Sequence, residues 1–69
     1  MSVEANIKQY LDDHGISQLH VSRKTGIDPA KLNLSLNGKR RMSLAEFRNV
    51  CWALDVSADT FLEPYPPQA

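Results

Sequence analysis

At 69 residues, with eight basic and eight acidic side chains and a lone cysteine, the chain has room for one small domain and for no internal disulfide. Such a domain buries only roughly 60% of its unfolded surface, which leaves close helix packing, dimerisation or both to stabilise it. Cys51, His14 and His20 lack the paired spacings of a zinc site, no apolar run reaches membrane-span length, and the N-terminal Met-Ser-Val-Glu-Ala-Asn lacks the regions of an export signal, so a cytoplasmic chain is expected.

The first helix is predicted over Val3–His14. Ser2 can cap it, Glu4 suits the positive end of its dipole, and Val3, Ile7, Tyr10 and Leu11 recur at helical spacing. Gly15 ends it. Ser17 caps the next helix, Gln18–Thr25, whose clearest inward residue is Val21, with Ser22 and Thr25 small enough for close contact. Leu19 falls off that face and reads as ordinary surface apolarity. Gly26 suits the left-handed position past a helix end, Asp28 caps again, and Pro29 follows at the first helical position, where its missing N–H costs nothing.

A third helix follows over Pro29–Leu36, closed by Asn37 and Gly38. Leu32 and Leu36 face inward at i and i+4, while Pro29, Ala30, Asn33 and Leu34 point elsewhere. Helix, short turn, helix over residues 17–38 is the outline of a helix-turn-helix. On the outer face of its second helix, Leu34 either reaches thymine methyl groups in a groove or finishes a wide apolar stripe.

Residues 38–43, Gly-Lys-Arg-Arg-Met-Ser, form a basic loop. Ser43 and Glu46 make a capping box that opens a fourth helix, Leu44–Leu54, with Leu44, Phe47, Val50, Cys51 and Leu54 expected on its core face. Cys51 reads as a small buried residue, since no base is placed beside it. Trp52 lies opposite that face, as an interface anchor for a dimer or partner, or as a platform for Tyr65, Pro66 and Pro67. Ser57 caps a short fifth helix over 58–62, with Val56 and either Phe61 or Leu62 closing the core. Residues 63–69 read as a stiff Pro-rich tail following a domain of residues 1–62.

The zero net charge hides a strong asymmetry. Residues 23–48 carry a net charge of +5, against −2 for residues 1–22 and −3 for residues 49–69. Such clustering is the electrostatic footprint of a phosphate-binding face, though a solvated basic loop would look the same. No paired-carboxylate cleft, nucleophile motif or phosphate-cradling glycine loop is present, which argues against an enzyme and gives no reason to expect a cofactor.

Several motifs occur in a familiar order: Gly15-Ile16-Ser17-Gln18, Val21-Ser22, Gly26-Ile27, Leu32, Leu36-Asn37-Gly38-Lys39-Arg40, Ser43-Leu44 through Phe47, and Ala53-Leu54-Asp55-Val56-Ser57. Each is weak alone, but together they resemble the phage Cro/repressor-type helix-turn-helix of the xenobiotic-response-element family, across about residues 3–62. Ser22 stands where that family usually has alanine, and Asp55 where it often has glycine. The resemblance implies an all-α, compact five-helix lambda-repressor-like domain. Its third helix would enter the major groove of double-stranded DNA, with Pro29, Ala30, Lys31, Asn33 and Leu34 toward the bases.

By the same resemblance Gln18, Asn37, Lys39, Arg40 and Arg41 would meet phosphates, with Gln18 also able to brace a base contact. Asn33 suits adenine and Lys31 guanine, and Asp28 stays a cap. The implied function is a sequence-specific transcriptional regulator, a repressor binding a palindromic operator as a homodimer. The alternative is an antitoxin or adaptor that grips a protein partner through Trp52, Leu19 and the tail.

Overall fold

The computed structural model describes residues 2–62; the expected tail over 63–69, including the proposed platform partners of Trp52, lies outside the described residues. Within them run five helices: α1 (Val3–His14), α2 (Gln18–Thr25), α3 (Pro29–Leu36), α4 (Leu44–Leu54) and α5 (Asp59–Leu62). Strands are absent among the described residues, as expected of an all-α chain.

The helix boundaries follow local chemistry. Hydroxyls of Ser2, Ser17 and Ser43 accept from the backbone N–H groups of Ala5, His20 and Glu46, satisfying donors that the first turn leaves over. The Asp28 carboxylate accepts from both Ala30 and Lys31 at 3.1 and 3.2 Å, so it is indeed a cap. Asp55 closes α4 in the left-handed conformation at φ 57°, a position that glycine occupies more cheaply.

The turn between α2 and α3 is held by side chains as well as by backbone. Gly26 takes φ 77° and donates its N–H to the Ser22 carbonyl. The buried Ser22 hydroxyl donates to the Ile27 carbonyl, a bond that alanine could not make. Thr25 Oγ1 donates to the Val21 carbonyl and accepts from the Ile27 N–H. With Ile27 also buried, α3 leaves the turn at a fixed angle to α2.

The core gathers Ile7 and Leu11 of α1, Val21 of α2, Leu32 and Leu36 of α3, Phe47, Val50 and Cys51 of α4, and Phe61 of α5. Phe61 settles the choice left open for α5: it is fully buried, while Leu62 is exposed. Its ring meets Tyr10 edge-on at 5.4 Å and Phe47 at 6.4 Å. Asn6, buried on α1, donates from Nδ2 to the Phe61 carbonyl at 2.9 Å and so ties α5 to α1.

Leu44 departs from the sequence reading. It is 74% exposed, not part of the core face, and burial begins only at Phe47, one turn further on. Leu44 opens α4, and the end of the helix overhangs the packed region. Ala53 is buried instead, and Leu54 packs partly against the cluster. The last helix starts at Asp59, one residue later than expected.

Candidate nucleic-acid interface

α3 has two faces with different fates. Leu32, Ser35 and Leu36 are buried, whereas Pro29, Ala30, Lys31, Asn33 and Leu34 are all exposed. The exposed side of the helix, more than half of its circumference, therefore carries every residue expected to face bases. It offers an ammonium, a carboxamide and the apolar surfaces of Ala30 and Leu34.

The carboxamide is braced. Asn33 Nδ2 donates to Gln18 Oε1 at 3.1 Å, linking the first residue of α2 to the exposed ridge of α3. Asn37 Nδ2 in turn donates to the Asn33 carbonyl at 2.9 Å. An adenine needs one acceptor and one N–H from the Asn33 side chain, and its second N–H can stay on Gln18.

The segment after α3 turns sharply. Gly38 adopts φ 78°, and the N–H groups of Gly38 and Lys39 donate to the carbonyls of Ser35 and Leu34. Lys39 and Arg41 are exposed. Together with Ser2, Glu4, Gly38 and Arg40 they line an open cleft of about 360 Å³ between this segment and the first turn of α1.

Arg40 stands apart from its two cationic neighbours. Its Nη1 donates to Ser35 Oγ and Glu46 Oε1 at 2.9 and 3.1 Å, and its Nη2 donates to Glu46 Oε2 at 2.9 Å. This fork, together with the Ser43 N–H, holds the Glu46 carboxyl at about 2, well below the usual carboxylate range. Glu46 completes the capping box at the same time, accepting from the Ser43 N–H. On the other side of the loop, Glu4 Oε2 accepts from the Met42 N–H at 2.9 Å.

These contacts of Ser35, Glu46 and Glu4 escaped the sequence reading. Ser35 had a signal, since Leu32, Ser35 and Leu36 follow the i, i+3, i+4 pattern of one face. Glu46 was legible only as a cap, and nothing local ties Glu4 to a residue 38 positions away.

Trp52 does not join the α3 group. It is 70% exposed on α4, with Lys24 Nζ 5.9 Å from its ring centroid. Burial pushes the Cys51 thiol above its ordinary range, against the activation that a nucleophile needs.

A capped helix held by a tight turn across a second helix, with its polar ridge exposed and a cationic segment beyond, is the geometry of a helix-turn-helix. The family model for the Cro/C1-type HTH DNA-binding domain matches residues 6–67, and the chain belongs to that family of DNA-binding regulators. Comparison with curated proteins and with solved structures gave no match. No helix among the described residues is long and apolar enough to cross a membrane.

Proposed function

We propose that the chain is a sequence-specific repressor that binds a palindromic operator as a homodimer in the cytoplasm. The observation that carries this reading is the α3 ridge: exposed along its length, free of core duties, and braced at Asn33 by Gln18. On it, Lys31 and Asn33 read base edges, while Pro29, Ala30 and Leu34 make apolar contact in the groove. Asn37, Lys39 and Arg41 take phosphates, as does Gln18 at the start of α2. So short a helix reads few base pairs, which favours two copies on half-sites about 34–36 Å apart.

The test is footprinting and gel shift on genomic fragments at low salt. The dimeric repressor protects two half-sites about one helical turn apart, and its log affinity falls with log salt by about 0.9 for each phosphate held. Lys39→Ala with Arg41→Ala shallows that slope by nearly two contacts' worth. Salt-insensitive binding, or none, sinks the reading.

Trp52 supports a second reading, a domain that grips a protein partner such as a toxin. A Trp this exposed, with Leu44 also exposed on the same helix, suits either a dimer seam or a foreign surface. Sedimentation of wild type and Trp52→Ala separates the two. Loss of a self-dimer favours the repressor, and loss of a stoichiometric foreign partner favours the adaptor.

A further inference from the structure

We infer that Arg40 is a positioning residue, which shapes the phosphate-gripping segment from behind through Glu46 and Ser35 instead of meeting a phosphate itself. The inference rests on the DNA-binding reading above and assigns a different role to one residue within it.

Three cations follow α3 in a row, and only the middle one is turned inward. Lys39 and Arg41 are exposed, whereas the Arg40 guanidinium forks onto both oxygens of Glu46 and also reaches Ser35, which is fully buried on α3. One planar group thereby joins the last turn of α3 to the first turn of α4. A bidentate guanidinium–carboxylate pair fixes both distance and orientation, which a single ammonium cannot do.

The segment between those helices is pinned at two further points. Glu46 holds the Ser43 N–H, and Glu4 reaches from α1 to the Met42 N–H. Two carboxylates on different helices thus bracket the segment and set where Lys39 and Arg41 project. A segment ordered before it meets a partner gives up less freedom on binding. The Glu46 charge has a second consequence: a phosphate taking Arg40 would have to displace an ion pair already satisfied at 2.9 Å.

The discriminating experiment measures affinity for a mixed-sequence duplex of about 24 base pairs at about 50 mM salt, where phosphate contacts dominate. It uses the full chain and its Arg40→Ala, Arg40→Lys, Glu46→Gln and Arg40→Ala/Glu46→Gln variants. Glutamine keeps the capping box, so Glu46→Gln retains α4. Far-UV helicity, measured well below the melting temperature, confirms that each variant is folded.

A positioning role predicts that Arg40→Ala loses about tenfold in affinity and that Arg40→Lys fails to restore it. Glu46→Gln also weakens binding, although it removes a negative charge, and the double variant is no worse than Arg40→Ala. The inference is overturned if lysine restores wild-type affinity, as a point-charge phosphate contact allows. Tighter binding by Glu46→Gln, through release of a competing cation, overturns it as well.

Amide exchange at Met42, read without DNA, keeps the two levels apart. Faster exchange in Arg40→Lys and Glu46→Gln supports the ordering role, and unchanged exchange refutes it. A wild-type chain that leaves the duplex unbound refutes the DNA reading itself.

Discussion

Removing the Gln18 amide tests whether the α3 ridge reads bases through a braced Asn33. In the structure the Asn33 side chain spends one N–H on Gln18 at 3.1 Å and can offer its carbonyl and second N–H to adenine. A bidentate pair of that kind is worth about 1–3 kcal/mol of discrimination, so Asn33→Ala should cost about 5- to 150-fold at adenine-containing sites. Gln18 contributes by holding one rotamer-rich side chain still, about 0.5–1.5 kcal/mol, so Gln18→Ala should cost about 2- to 12-fold there.

The two losses should not add, because the brace has nothing to hold once Asn33 is gone. Sites selected from a random duplex pool, then titrated by fluorescence anisotropy, give all four corners of the cycle. On mixed-sequence DNA the Asn33 effect should shrink toward nothing. Full additivity of the two substitutions, or an Asn33→Ala variant that keeps the same selected site, would refute the argument.

Three further expectations concern stability. The Glu46 carboxyl is held near 2 in the folded chain against 4.5 when free, so its contribution is present above about pH 4.5 and is lost as pH falls toward 2. Because solvent screens this pair, melting curves at neutral and acid pH should differ by only about 1 kcal/mol more in wild type than in Glu46→Gln. Phe61→Leu keeps the position apolar but shrinks the side chain and gives up the edge-on contacts with Tyr10 and Phe47, about 0.5–1.5 kcal/mol each, and should lower Tm by about 5–15 °C in calorimetry. Asp55→Gly should raise Tm by about 2–5 °C, since it relieves φ 57° and removes a negative charge from the C-terminus of α4; a lowered Tm would contradict both arguments.

What was legible in the sequence was whatever is encoded within a few residues. α1, α2, α3 and α4 run as predicted from Ser2, Ser17, Asp28 and Ser43, because a cap acts on N–H groups two or three positions away. The exposed ridge of α3 was equally legible, since one inward pair, Leu32 and Leu36, orients the whole helix. Leu44 misled because helical spacing records direction and says nothing about where the core stops. Asn6 was invisible as a core residue for the opposite reason: its polarity reads as surface until a partner is known, and that partner is the Phe61 carbonyl, 55 residues on. Arg40 combined both difficulties, since in sequence it is indistinguishable from Lys39 and Arg41.

The placement of Trp52 also decides what light can report about this molecule. It is the sole tryptophan, it is 70% exposed on α4, and it borders Lys24 and not the Phe47–Phe61 cluster. Its emission should therefore be red-shifted in the native state and change little as the chain unfolds, while circular dichroism follows the loss of helices. Burial of the indole against a second surface should shift the same emission to the blue. The chain carries an intrinsic optical reporter of association that is nearly blind to folding.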